Sequence, residues 1–380
     1  MKKRYITALV LIGALLMGIG TFCLFGVERL YALDETQPQE ATDVKSQSSA
    51  ITSALFDFQK LDMEGTSLSM ECNGLRAMIS DDGFEGLMVV GDDGALIMNK
   101  AYLESIVEQA DDTVEFSLSV KGNTCAARIK SNGSTIWGQS GLCIVSVPYE
   151  SGTLTTAVKG NQDSYIGNSA YFSDGFELRW QLGISETYTI TDNLKSFTDI
   201  TGHWGKSYVE FLSAHGVLNG VSESNFQPDR SITRAEFVKI LAVLSSEDVA
   251  SCQTNRFTDV TSDHWFYRYV AWGTERGLVQ GKSADRFAPN ATITREEMAT
   301  LCDRYISYYQ LECKAVRAAT DFADAPVIGS WALDAVKRIQ AAGIINGRDN
   351  NMFVPKGNAT RAEAATMLSN LTAYMMTMPH

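Results

Sequence analysis

Thr233-Arg234-Ala235-Glu236, Thr294-Arg295-Glu296-Glu297 and Thr360-Arg361-Ala362-Glu363 are three copies of one tetrapeptide, and each opens an apolar helical pattern. Thr followed by Glu three residues later is a capping box, in which the hydroxyl accepts from the Glu amide and the carboxylate reaches back to the Thr amide. The stripes behind it are Phe237, Ile240, Leu241, Leu244; Met298, Leu301, Cys302, Tyr305; and Ala364, Met367, Leu368, Leu371. That spacing predicts three equivalent helices packed through one face.

Working outward, the copies keep register without a gap. Counted from Trp204, Trp265 and Trp331, a Gly stands twelve residues on (Gly216, Gly277, Gly343) and another at sixteen (Gly220, Gly281, Gly347). Phe226, Phe287 and Phe353 follow at twenty-two, and Pro228, Pro289 and Pro355 at twenty-four. Each unit reads as helix, loop, helix. The first helix begins near the Trp, with apolar pairs Val209/Leu212 and Val336/Ile339; Val270/Gly273 marks a weaker second copy. Gly216, Gly277 and Gly343 sit where a helix C-cap needs a left-handed residue. One unit is too small to bury its own apolar face, so the three are expected to form one domain.

These motifs, with Phe197-x-Asp199, His203-Trp204 and their later copies, resemble the S-layer homology (SLH) domain. The resemblance runs from Phe197 to about Thr372. It implies an all-α, pseudo-threefold assembly of three helix-loop-helix repeats that binds secondary cell-wall polymer, a peptidoglycan-linked and often pyruvylated glycan, in clefts between repeats. The expected ligand-binding set is Arg234, Arg295 and Arg361, Trp204, Trp265 and Trp331, and Gly220, Gly281 and Gly347. Each Arg stands at a helix N-terminus, which favours anions, and can fork two hydrogen bonds onto a carboxylate. Each Trp offers a flat apolar face, although burial in a core or rim is the commoner use of such a side chain. The glycines would let backbone approach a ligand. The arginines have a structural alternative, pairing with Asp199, Asp259 and Asp324. Glu296 stands beside Arg295 and would oppose an anion there. Ser330 replaces His before Trp331, which argues against histidine catalysis.

The N-terminal half reads differently. Lys2, Lys3 and Arg4 precede an uncharged run from Tyr5 to Val27, a signal peptide cut after Ala32 or an uncleaved membrane anchor. Cys23 follows Phe22, not the small residue of a lipoprotein site. Residues 33–52 are a polar linker. Residues 53–192 form a β-rich module: Val114–Val120 alternates with period two, Cys143–Val147 and Tyr188–Ile190 read likewise, and Ala101–Gln109 reads as a short helix. The repeats are assigned to 193–246, 253–307 and 318–373, making the chain multidomain, with a mainly-β N-terminal domain before the α repeats.

The composition narrows the function. With 32 Lys plus Arg against 45 Asp plus Glu, a net charge of −13 disfavours nucleic acid. Cys72, Cys125, Cys143, Cys252, Cys302 and Cys313 show no CxxC, so no metal site or cofactor is expected; Cys302 fits a buried thiol, and Cys252 and Cys313 lie in linkers where they could pair. No nucleophile elbow, HExxH or P-loop occurs. Asp81-Asp82, Asp92-Asp93 and Asp111-Asp112 read as turn acids, since glycosidase carboxylates must face each other across a sugar. The expectation is a secreted, non-enzymatic protein of the cell wall or surface, touching a membrane only through an uncleaved N-terminus. The alternatives are a surface enzyme on wall glycans targeted by the repeats, or an S-layer lattice subunit.

Overall fold

The computed structural model describes residues 58–377; the N-terminal basic and apolar segment and the polar stretch at 33–52 lie outside them. A β-sheet region comes first, and a helical region follows from Lys206 onward.

The β region is two facing sheets. One has the order β1 (Phe58–Asp62), β3 (Gly86–Gly91), β4 (Gly94–Asn99), β8 (Cys143–Pro148), β11 (Glu177–Gln181), β10 (Ser169–Phe172). The other runs β2 (Ser67–Glu71), β5 (Thr113–Lys121), β6 (Thr124–Ser131), β12 (Thr187–Asp192), β9 (Thr156–Lys159), with β7 (Ser134–Thr135) on β6. Among the described strands only β1 and β3 pair in parallel. The alternation expected over Val114–Val120 is realised in β5, where Val114, Phe116 and Leu118 turn into the sandwich. Leu96, Met98, Val145, Leu178 and Trp180 meet them from the other sheet. Helix α1 (Cys72–Ile79) and helix α2 (Lys100–Gln109) add Leu75, Leu103 and Ile106 to that core.

The strand at Cys143–Val147 corrects the half-buried expectation. All five residues are buried. Val145 and Val147 face the sandwich, while Ile144, with Ala95, Ile97, Ala170 and Phe172, belongs to the core of the helices. The first sheet is therefore covered on both faces, and the β region shares its packing with the repeats.

The repeats contribute α3 (Lys206–Ala214) and α4 (Arg234–Leu244), α5 (Tyr267–Glu275) and α6 (Arg295–Tyr308), and α7 (Leu333–Ala341) and α8 (Arg361–Met376). All three capping boxes form. Gly216, Gly277 and Gly343 take φ of 71°, 68° and 73°, as a left-handed cap requires. Helix α5 is as long as α3 and α7, so the weaker second copy is not realised. Gly273 has a packing reason there: a Cβ would lie 2.5 Å from a Val279 methyl.

The repeats are stitched at the N-terminal ends of α4, α6 and α8. Ile232 donates its amide to Ala359, Ala359 to Ile293 and Ile293 to Ile232, each at 3.0 Å, closing a ring. The β region docks at the opposite, C-terminal ends. Arg179 donates to the Met376 carbonyl at 3.1 Å, Asn99 to the Tyr309 carbonyl at 3.1 Å, and the Gly167 amide to the Ser246 hydroxyl at 2.9 Å. Asn168 bonds the Tyr305 hydroxyl at 3.0 Å. Arg179 brings a positive charge to the carbonyl end of α8, where the helix dipole favours it. The cysteines among the described residues are unpaired: Cys302 is buried as expected, Cys252 is packed by Arg276, and Cys313 lies against the Arg338 carbonyl, so the linker pairing is not made.

Because one core spans both regions, the intact chain should melt in a single calorimetric transition. A fragment starting at Asn193 uncovers the face packed by Ile97, Ile144 and Phe172. It should melt at least roughly 10 °C lower or lose cooperativity.

His215 caps α3, its Nδ1 donating to the Phe211 carbonyl at 2.7 Å, with 1% of its surface exposed. Burial pushes its imidazole down to about 4. The unfolded side chain protonates near pH 6.5, so between those values the unfolded state binds more protons. Stability present above pH 6.5 is therefore lost as pH falls toward 4. From pH 7 to pH 5 urea denaturation should record a loss of about 2 kcal/mol, and His215→Gln should flatten that slope.

Candidate functional site

The loops after α3, α5 and α7 are built on a strained residue. Gln227, Ala288 and Val354 adopt φ of 60°, 58° and 56°, in the left-handed region that non-glycine residues avoid. Asp199, Asp259 and Asp324 hold them there. Asp199 accepts from the Phe226 amide at 2.8 Å and the Gln227 amide at 2.7 Å. Asp259 does the same for Phe287 and Ala288, and Asp324 for Phe353 and Val354. Burial works against the charge of Asp199 and Asp259, but these amide hydrogen bonds hold both carboxyls below their ordinary range. The aspartates are thus loop anchors, not the partners of the arginines.

Arg234, Arg295 and Arg361 grip the same peptides from the neighbouring repeat. Their Nε atoms donate to the carbonyls of Phe287, Phe353 and Phe226 at 2.9, 2.7 and 2.9 Å. Nη2 donates to Gln280, Asn346 and Asn219. Each guanidinium also lies over the ring of that Phe. Two have a carboxylate as well: Arg234 pairs with Glu297 at 2.7 Å and Arg295 with Glu363 at 3.0 Å. In the third copy Glu236 is taken by Arg230 at 2.6 Å, and Arg361 keeps only carbonyls. Burial and the adjacent Arg230 push Arg361 down to about 10, still charged at neutral pH. All three are buried, at 6, 4 and 6% exposure, so their first role is to join repeats.

The tryptophans are rim residues rather than core: Trp204, Trp265 and Trp331 are 59, 58 and 56% exposed. Gly220 and Gly281 are required by their own loops, and Gly347 is tightly packed in its own. A Cβ would lie 2.3 Å from the carbonyl of Ser222 or Ser283, or 3.0 Å from the Phe322 ring.

One cleft, of about 550 Å³, collects expected residues from all three repeats: Arg234 from the first, Gly281 from the second and Trp331 from the third. Lys282, Arg304, Lys356, Glu296 and Glu297 complete its charged lining. Burial disfavours the Glu297 charge, yet Lys282, the Thr294 amide and Arg234 hold its carboxyl below the ordinary range. Glu296 does not oppose an anion beside Arg295, as its sequence position suggests. Its side chain lines the Arg234 cleft, bonded to Lys356 and, at 2.9 Å, to the Gly329 amide. Lys282, Arg304 and Lys356 stand outside the expected set; their signal in the sequence is that they depart from the repeat pattern.

Histidine serves structure. His203 accepts the Gly205 amide at 3.0 Å and lies 3.3 Å from Asp229; His264 accepts the Thr261 amide at 3.1 Å.

Replacing a joining arginine removes a buried hydrogen-bonded charge. Arg234→Ala and Arg295→Ala, which also take one cation from buried Glu297 and Glu363, should each cost about 3 kcal/mol in urea denaturation. Arg361→Ala, which frees no carboxylate, should cost about 2 kcal/mol.

The S-layer homology domain pattern matches residues 196–238, 256–299 and 321–365. The chain is 32% identical over 212 residues to an amylopullulanase of Thermoanaerobacterium thermosulfurigenes, covering 56% of this chain and 11% of that one. It is 32% identical over 183 residues to the surface-layer 125 kDa protein of Lysinibacillus sphaericus, 46% of this chain and 14% of the relative. It is 29% identical over 155 residues to the cellulosome-anchoring protein of Acetivibrio thermocellus, 40% and 34%. The chain thus spans between 11% and 34% of the length of these relatives.

Proposed function

We propose that this S-layer homology domain protein is held on the bacterial cell envelope without a covalent bond, its repeats binding an anionic secondary cell-wall polymer. The observation that carries the reading is the cleft where Arg234, Gly281 and Trp331 meet, one residue type from each repeat. An exposed indole beside cationic side chains suits a sugar ring bearing a carboxylate, such as a pyruvylated sugar. Three equivalent arginine grips and the closed amide ring support a pseudo-threefold arrangement with a cleft at each junction. Similarity to a surface-layer protein and to a cellulosome-anchoring protein supports a place at the cell surface. Export through residues 1–32 is part of the same reading.

We read the chain as an anchor and not an enzyme. The acidic pairs of the β region are used in turns: Asp81 accepts the Gly83 amide, Asp93 the Val120 amide, and Asp111 the Asn132 side chain. The second reading, a surface enzyme on wall glycans, draws on the amylopullulanase likeness. It requires hydrolysis of wall glycan by the intact chain.

Residues 33–380 should sediment with cell-wall sacculi and stay in solution once the secondary polymer is removed. Trp331→Ala, at an exposed position, should leave the melting temperature within about 2 °C while weakening binding roughly fivefold. Unchanged sedimentation after polymer removal would sink the polymer reading.

A further inference from the structure

The three junctions are not alike in charge. At the Arg234 junction the cleft holds Arg234, Lys282, Arg304 and Lys356 against Glu296 and Glu297. Counted in register from each Trp, the positions matching Lys356 are Asp229 and Asn290, and those matching Arg304 are Val243 and Asn370. Lys282 is matched by Val221 and Arg348, and Glu296 by Ala235 and Ala362. The set that includes Arg295 therefore balances Arg295 and Arg348 against Asp229 and Glu363. The set that includes Arg361 has Val221, Val243 and Asn290 where this cleft has cations; Arg230, from outside the set, takes Glu236. A clear positive excess, in a chain of net charge −13, is found at one junction.

The geometry makes that excess available. Arg234 is buried and committed to carbonyls and Glu297. Lys282 and Lys356 are different: their side chains are 47 and 55% exposed and come from loops of two repeats. Each rests on a glutamate that is itself buried, Glu297 and Glu296. A long flexible ammonium can move from such a carboxylate to a ligand without unmaking the junction. Glu296 also fixes the wall opposite. It accepts the Gly329 amide at 2.9 Å, and the Trp331 indole lies so close over Gly329 that a Cβ there would be 2.5 Å from its Nε1. Glu296 is thus a positioning residue that sets Lys356 and Trp331 on one rim.

We infer that the Arg234 cleft is the dominant binding site of this chain, and that its ligand is a glycan segment bearing two anionic groups, one met by Lys282 and one by Lys356 across the face of Trp331. This rests on the anchoring reading and adds which junction binds and what charge the ligand carries.

The test is cosedimentation of residues 33–380 with sacculi carrying their secondary polymer, with melting curves for every variant. Lys282→Gln with Lys356→Gln should weaken binding at least about tenfold. Glu296→Ala with Lys356→Ala introduces at 296 the alanine found at 235 and 362, and leaves the cleft's net charge unchanged. It should also weaken binding, because the loss is of a placed ammonium. Arg348→Gln, at the matching position of another junction, should stay within about twofold. Equal loss in Arg348→Gln, or full binding by the lysine variants, overturns the inference while wild-type binding upholds the anchoring reading. No binding by the folded wild type defeats both. Mild acid removes ketal-linked carboxylates, cold hydrofluoric acid cleaves phosphodiesters and carbodiimide-borohydride reduction removes uronic carboxylates; with isolated polymer as the competitor, a treatment that abolishes competition identifies the anion, and competition that survives all three overturns the assignment.

Discussion

The peptide at each loop Phe is held from both sides, and the helical region depends on that hold. An aspartate of the same repeat takes the amide of Phe226, Phe287 or Phe353, and an arginine of the neighbouring repeat takes the carbonyl. The next residue is left-handed in all three loops, even where it is the β-branched Val354. Such backbone persists only where its surroundings over-determine it. The aspartate supplies that constraint locally, and the arginine exports it to the next helix N-terminus. Removing water from a guanidinium is costly, so these arginines need every carbonyl they have. The same contacts that satisfy them close the ring.

The same hold separates the residues that build the junctions from those at their rims. The guanidinium groups are spent on the protein, and they define where two repeats meet. What stays exposed at the junction is the rim: indoles, and lysines whose partners are buried glutamates. Because the joint is made by backbone carbonyls, rim side chains can vary without breaking it. The three junctions accordingly differ in charge while sharing the arginine-to-carbonyl grip.

The β region takes the other end of the bundle. Its first sheet is buried on both faces, one in the sandwich and one against the helices. Arg179, Asn99 and Asn168 satisfy groups at the C-terminal ends of α6 and α8, where the last helical carbonyls have no partner of their own. The Arg234 cleft lies toward the N-terminal ends of α4 and α6, so the β region, docked at their other ends, leaves it open. It is a structural part of the repeat unit, and its exposed sheet faces away from the site.

What the sequence determined by itself is local. Three capping boxes and three left-handed glycines follow from residues within four positions of one another, and such short-range terms act before any tertiary contact forms. The period-two pattern of Val114–Val120 belongs to the same class. Cys143–Val147 carried a signal too, since unbroken burial leaves no polar alternation, but nothing nearby says what covers the second face. Tertiary structure alone decided the rest. Arg234, Gly281 and Trp331 come from three repeats and meet only when the ring closes. Glu296, adjacent to Arg295 in the chain, faces the Arg234 junction because neighbouring helical residues point about 100° apart. The burial of His215 and the docking of the β region depend on shape matching between segments far apart in the chain, which no local pattern records.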